Sequence, residues 1–166
     1  MHAAADLTAG AHLRSVEGHL AALMGTSPAA AGVVGIGIDA VDLDRFRTVL
    51  ERRPGLALRL FTPDELAYAA TAPDRVPRLA TRFAAKESVM KALGVGLWSF
   101  PFPDVEVVRS GLDAPGLVLH RLAADLARTA GVRRWHLSLT HTDQVALAAV
   151  VADTGPPEPA TPPVGA

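Results

Sequence analysis

The amino-acid sequence predicts a single α+β domain at residues 32–152, with a mainly antiparallel sheet packed against helices. Apolar residues make up 49% of the 166 residues, which is enough to bury a core. A strand pattern opens the domain, and two apolar segments separated by a short polar turn close it as a hairpin. Helical patterns lie between them without strict strand–helix alternation, which favours α+β over α/β.

The first half of the domain is predicted to contain one strand followed by three helices. The strand covers residues 33–41, and the helices cover residues 43–53, the segment from Pro63 onward, and residues 78–93. The second helix has a clear start, because Thr62 is a good N-cap, Pro63 suits the first helical position and Glu65 completes a capping box. Gly94 is expected to end the third helix.

The second half is predicted to contain two short strands, a helix and the closing hairpin. The strands cover residues 105–108 and 117–119, the helix covers residues 121–129, and the hairpin strands cover residues 135–139 and 145–151. Gly131 is expected to end the helix. Residues 140–144, Thr-His-Thr-Asp-Gln, are polar and form the hairpin turn.

Two segments flank the predicted domain. Residues 1–31 form an Ala-rich extension in which apolar residues at helical spacing predict an amphipathic helix at residues 12–24. That helix is interpreted as a packing or capping helix, and one sequence gives no support for a partner-docking role. Residues 153–166 are Pro-rich and are expected to be extended or disordered.

The composition excludes several classes of function. The net charge is −1, from 16 basic and 17 acidic side chains, so no overall positive field predicts a nucleic-acid partner. The chain has no cysteine, which excludes disulfides, thiolate metal sites and cysteine nucleophiles. No run of about 18 apolar residues predicts a membrane span, and no secretory signal is evident, so a cytoplasmic location is expected.

Asp39 is the first candidate site residue, because it follows a strand whose Gly35 and Gly37 leave one face bare. Another group can therefore approach the backbone there. A turn or helix-capping role explains Asp39 equally well, and Asp42 or Asp44 would serve as that cap. The two glycines are not a dinucleotide fingerprint, since no third glycine follows and the strand continues through them.

The predicted helix at residues 78–93 carries the second group of candidates. Glu87 and Lys91 share a helix face with two small residues, Ala84 and Ser88. They are either an ordinary exposed i, i+4 ion pair or part of a site that a ligand can approach closely. The cluster of Arg82, Lys86 and Lys91 before Gly94-Val95-Gly96 would suit a phosphate-bearing ligand.

The first hairpin strand carries the third group. His136, Ser138 and Thr140 point to one face of the strand, with His141 at its end. The face is either simply solvated or a row of donors for a phosphate-bearing ligand. The histidines lack a zinc-site spacing, so a structural zinc site is not expected.

Four segments together resemble the holo-acyl carrier protein synthase family of 4′-phosphopantetheinyl transferases. They are GIGIDAVDLDRF at residues 35–46, RFAAKESVMKALGVG at 82–96, DVEV at 104–107 and WHLSLTHTDQVALAAVV at 135–151. Each is weak alone, but all four occur in the family's order and span the predicted domain. One departure is Val95, where the family usually has Thr.

The resemblance implies a reaction. Family members transfer the phosphopantetheine arm of coenzyme A to a serine of an apo acyl carrier protein and release adenosine 3′,5′-bisphosphate. It implies that Asp39 and Glu87 hold Mg²⁺, with Mn²⁺ as an alternative, and that Lys91 completes the catalytic set. The client is a carrier protein of fatty-acid or polyketide synthesis. The alternative is a non-catalytic module that binds carrier protein or nucleotide and retains the fold.

The remaining expectations concern substrate contacts. Those predicted for coenzyme A are Arg82, Lys86, Lys91, Gly94, Ser138, Thr140 and His141, with Arg75 suggested for its 3′-phosphate. Arg45 is expected to face the acidic carrier protein, with Arg47 beside it and Arg52 and Arg53 near. The resemblance also implies a homotrimer with active sites between subunits.

Overall fold

The structure is a computed structural model, and it describes residues 32–109 and 114–155. It confirms the predicted α+β class. The strands are β1 (Val33–Asp42), β2 (Val105–Val108), β3 (Gly116–Leu119), β4 (Arg134–His141) and β5 (Val145–Asp153). The helices are α1 (Leu43–Arg52), α2 (Leu56–Leu60), α3 (Pro63–Ala70), α4 (Val76–Ala92) and α5 (Arg121–Thr129), with a short 3₁₀ turn at Phe102–Asp104.

The main sheet has three antiparallel strands in the order β1-β5-β4. Its register places Asp39 opposite Ala148, and Ala148 opposite Leu139 on the far strand. Strands β2 and β3 form a separate antiparallel pair. Alternate residues of β5 are fully buried on one face of the main sheet, so the core lies between that face and the helices.

Helix α4 lies directly on β1, because both elements carry small residues at their contact. A Cβ atom on Gly37 would come within 1.9 Å of the Ser88 carbonyl oxygen, and one on Gly35 within 1.9 Å of the Ala92 carbonyl oxygen. Ala84 and Ser88 are fully buried in the same contact. The interpretation of these glycines and small residues as room for a ligand was wrong, since it is the helix that fills the space.

Helix α3 begins with the predicted capping box. The Thr62 hydroxyl accepts from the Glu65 N–H (3.3 Å), and the Glu65 carboxylate accepts from the Thr62 N–H (3.0 Å). Glu65 is also fully buried and forms an ion pair with Lys86 at 2.7 Å. The capping residue therefore also ties α3 to α4.

The observed boundaries extend or add to several predictions. Helix α2 was not predicted, because it has only five residues, too few to show a helical period, and it directly follows the turn residues Pro54-Gly55. Strand β5 continues into Asp153, which was assigned to the tail. The helix predicted at residues 12–24 and most of the Pro-rich tail lie outside the described residues. No helix within the described ranges is long and apolar enough to cross a membrane.

Candidate active site

Asp39 and Glu87 both line a cavity of about 1240 Å³. Asp39 lies near the end of β1 on the face that α4 covers, and Glu87 projects from α4. The close contact of α4 with Gly37, two residues before Asp39, brings the helix near enough for the two carboxyl groups to interact. The structure thus places together the two carboxylates that the sequence selected.

Lys91 completes this cluster through Asp39 and not through Glu87. Its Nζ lies 2.7 Å from Asp39 Oδ1 and donates to the Ile38 carbonyl oxygen at 2.9 Å. The alternative of an exposed Glu87–Lys91 ion pair is therefore wrong. An ammonium group has three donors, so the third has no acceptor among the described residues. The Lys91 side chain is 48% exposed and accessible to a ligand.

Burial raises the pKa of Glu87 above its ordinary value, and the Asp39 carboxyl raises it further, while the Lys91 ammonium opposes the shift. Two carboxyl groups and one lysine ammonium therefore interact at this site. A like-charged carboxyl pair of this kind favours either a shared proton or a bound cation.

The donor set fits Mg²⁺. Mg²⁺ prefers hard oxygen ligands and is commonly bound by one or two carboxylates, with waters and substrate phosphates completing the shell. Within the described ranges, no three His, Cys, Asp or Glu side chains are grouped so as to hold a metal ion. The Asp39–Glu87 pair offers the one or two carboxylates that such a Mg²⁺ site commonly takes from the protein.

Helix α1 forms one wall of the cavity. Asp42 caps this helix by accepting from the Arg45 N–H at 2.8 Å, and Arg45 lines the cavity near the carboxylates. Arg47 points elsewhere, because it forms an ion pair with Asp74 at 2.6 Å and lies outside the cavity lining. The two arginines predicted to act together therefore face different surfaces.

Two of the side chains predicted to contact coenzyme A are buried in the structure. Lys86 is fully buried and donates to the carbonyl oxygens of Phe102 and Val105 as well as to Glu65. Arg82 is 4% exposed, and its guanidinium stacks on the Tyr68 ring, 4.2 Å from the ring centroid. Both cations therefore contact other parts of the same chain, and the Nε atom of Arg82 is buried without a hydrogen-bond partner among the described residues.

Three of the other predicted coenzyme A contacts lie on strand β4, and the fourth, Gly94, lies at the end of α4. Ser138 and Thr140 are exposed on the sheet face opposite to Asp39. Their strand, β4, is the second strand from β1, so the two backbones are about 10 Å apart. His141 is exposed at the end of β4, where it pairs with Ala146 of β5. Gly94 has φ +67° and ends α4, as predicted, with its N–H donating to Lys91 O at 3.0 Å.

The sequence reasoning missed several residues of the cavity. Leu58 and Arg59 belong to α2, which was not predicted, and Trp98 belongs to the apolar segment that follows Gly96. The high density of aromatic residues and prolines at 97–103 was the available signal. It did not distinguish cavity lining from core packing.

The family model described as "ACPS: 4′-phosphopantetheinyl transferase superfamily" matches residues 35–150. The match covers more than half of the chain and includes Asp39, Glu87 and Lys91. The chain belongs to this family. It is therefore a transferase, as the sequence predicted.

Individual relatives agree with this membership. The chain is 48% identical over 124 residues to a holo-[acyl-carrier-protein] synthase of Frankia alni, covering 74% of this chain and 98% of that protein. It is 45% identical over 129 residues to the synthase of Anaeromyxobacter dehalogenans, covering 75% and 99%.

Solved structures of synthases share the fold. The crystal structure from Neisseria meningitidis has a TM-score of 0.67 and 32% identity, covering 73% of this chain and 98% of that one. The structure from Bacillus anthracis, in complex with CoA (3′,5′-ADP), has a TM-score of 0.61 and 30% identity, covering 74% and 97%.

Proposed function

We propose that this protein transfers the 4′-phosphopantetheine group from coenzyme A to a serine of an apo acyl carrier protein and releases adenosine 3′,5′-bisphosphate. The observation that carries the proposal is that Asp39 and Glu87 line a large cavity together, while Lys91 forms an ion pair with Asp39. The names of the relatives, and the coenzyme A in one structural neighbour, point to the same substrates.

In this proposal each side chain has a distinct task. Glu87 accepts the proton of the serine hydroxyl, whose oxygen forms a bond to the β-phosphorus of coenzyme A. The bond from that phosphorus to the bridging oxygen breaks, and the oxygen leaves with adenosine 3′,5′-bisphosphate. The third donor of Lys91 is placed to neutralise charge on the departing phosphate. Asp39 positions Lys91 through their 2.7 Å contact.

Asp39 and Glu87 would also hold a Mg²⁺ ion, with Mn²⁺ as an alternative. When bound, the ion supplies positive charge that the pyrophosphate needs in phosphoryl transfer. The two carboxylates suit this role because they lie close enough to interact, and a bound cation relieves the repulsion between two such groups.

The proposal includes a homotrimer in which neighbouring subunits complete each site. Its support is the sheet face opposite to α4, where Ile36 and Ile38 are 59% and 57% exposed. Large exposed apolar residues on a sheet face are typical of an interface. Ser138 and Thr140 lie on this same face, so in an oligomer they could contribute to the active site of a second copy of the chain. That arrangement would give these two predicted coenzyme A contacts a role that one chain alone does not allow.

The carrier protein is proposed to dock on the α1 wall of the cavity. Arg45 lines the cavity and forms no ion pair with a described residue, so it is available to an acidic partner. Arg47 forms an ion pair with Asp74 outside the cavity, so the proposed docking surface does not include it.

The direct test is a transfer assay read by mass spectrometry. Wild-type protein with Mg²⁺ and coenzyme A should add one phosphopantetheine group to an apo acyl carrier protein. Asp39→Ala and Glu87→Ala should each lower the rate by at least about 100-fold. The matched control is Asp125→Ala, which removes an exposed carboxylate of α5 outside the cavity and should retain full activity. Mg²⁺-dependent binding of coenzyme A without transfer to any carrier protein would instead indicate a non-catalytic binding module.

A further inference from the structure

Trp98 occupies an unusual backbone position at the rim of the cavity. The N–H of Ser99 donates to the carbonyl oxygen of Gly96 at 3.2 Å, which closes a β-turn with Trp98 as its third residue. The φ angle of Trp98 is +69°, a value that glycine adopts easily and large side chains rarely adopt. Backbone strain of this kind persists only where the surroundings enforce it, and it is concentrated at functional sites.

The Trp98 side chain is supported on one side and open on the other. Its ring meets Phe102 edge to face, with 4.7 Å between centroids. Phe102 in turn stacks on Phe83, which lies one turn before Glu87 on α4. The indole is therefore the outer end of an aromatic row that begins beside the catalytic carboxylates. The Trp98 residue remains 64% exposed and lines the cavity.

Another wall of the cavity combines an apolar residue with positive charge. Leu58 lines the cavity and is 74% exposed. Arg45, Arg53 and Arg59 line the same cavity, and none of them forms an ion pair with a described residue. Of the acidic residues that line the cavity, Asp42 has one carboxylate oxygen engaged in capping α1, and Asp39 and Glu87 form the candidate site. This wall is therefore complementary to an acidic partner that also presents an apolar side chain.

We infer that Trp98 is a specificity-determining residue for the carrier protein. This inference rests on the proposed function. The segment beside the reactive serine lies along the cavity and places one large apolar side chain between Trp98 and Leu58. Its carboxylates face Arg45, Arg53 and Arg59. Trp and Arg are the residue types that most often dominate binding at protein interfaces.

The test is the Trp98→Gly variant in steady-state transfer assays. Glycine suits φ +69°, so the variant should fold, with a melting temperature within about 3 °C of wild type. The KM for apo carrier protein should rise about 10-fold, while kcat and the KM for coenzyme A stay within about twofold. Trp98→Phe should restore most of the affinity. Leu97→Ala is the matched control, because Leu97 is 58% exposed in the same turn but does not line the cavity.

Each other outcome overturns the inference in a distinguishable way. An unchanged KM for carrier protein in Trp98→Gly would show that the indole does not select the acceptor. A rise only in the KM for coenzyme A would assign the indole to the nucleotide substrate. A changed oligomeric state in analytical ultracentrifugation would assign it to contact with a second copy. If wild-type protein transfers nothing to any carrier protein, the proposed function fails and the inference fails with it.

Discussion

Two lysines of α4, five residues apart, form ion pairs in opposite environments. Lys86 and its partner Glu65 are both fully buried, at 2.7 Å. Lys91 and its partner Asp39 are also 2.7 Å apart, but their side chains are 48% and 12% exposed. The distances are the same, and only the surroundings differ.

The surroundings determine what each pair does. Lys86 donates to Glu65 and to two backbone carbonyl oxygens, and Glu65 also accepts from the N–H groups of Thr62 and Val107. With every donor of Lys86 engaged, this pair has no capacity for a ligand, and it joins α3, α4 and β2. Lys91 keeps one donor available, and Glu87 beside it has a raised pKa. The candidate site therefore differs from the structural contact by its unused hydrogen-bond donor and its carboxyl group of raised pKa, and not by charge alone.

The largest effect on stability is expected when the buried pair is broken. Lys86→Met leaves the Glu65 carboxylate buried without its counter-charge, which should lower the free energy of unfolding by about 3–5 kcal/mol. Urea denaturation followed by circular dichroism measures the change. A loss below about 1 kcal/mol would contradict the structural role given to this pair.

An intermediate effect on stability is expected from Gly37→Ala. This variant tests how the partly exposed Asp39–Lys91 pair is held in place. The added methyl group would meet the Ser88 carbonyl oxygen at 1.9 Å, so α4 must move away from β1. Overpacking of this kind costs about 1–3 kcal/mol, and it should lower transfer activity by separating Asp39 from Glu87.

The matched control for that variant is Gly55→Ala. A Cβ atom there meets nothing within 4 Å, and the φ angle is −76°. Its unfolding free energy should change by less than about 1 kcal/mol. Equal stability and activity of the two variants would show that the close contact of α4 with β1 does not position the site.

The smallest stability effect, with a large activity effect, is expected from Lys91→Met. The Asp39–Lys91 pair is partly exposed, so its loss should cost less than about 1 kcal/mol of unfolding free energy. Transfer activity should nevertheless fall on the order of 100-fold, because the charge facing the departing phosphate is lost.

The substitution is the same as at Lys86, on the same helix, so the two variants control for each other. Denaturation and transfer rate should be measured on both. The comparison of the two pairs would be refuted if Lys91→Met were the less stable variant, or if it transferred at the wild-type rate.

Local sequence was sufficient for most of the fold. The capping box at Thr62 and Glu65 and the glycine at position 94 are local signals, and the structure confirms both. Alternation along β4 was also readable, since His136, Ser138 and Thr140 share an exposed face as predicted. Helix α2 was missed because five residues are too few to show a period of 3.6.

The candidate site was only partly readable from local pattern. Asp39 alone was ambiguous between a helix cap and a ligand, and the cap proved to be Asp42. The order of four motifs selected Asp39, Glu87 and Lys91, and the structure places them together. The same reasoning grouped Lys86 and Arg82 with them, because a basic residue near a glycine turn looks the same whether it is buried or exposed.

The sequence by itself determined most of the elements, the helix ends that a cap or glycine marks, and the family to which the chain belongs. Caps, periodicity and motif order are properties of neighbouring residues. Only the tertiary structure decided which charges are buried and which remain open. That decision depends on what packs against each helix face. Glu65 of α3 reaches Lys86, whereas Lys91 reaches Asp39 at the end of β1 and Glu87 lines the cavity. Contacts between segments far apart in the chain leave no local pattern from which they could be predicted.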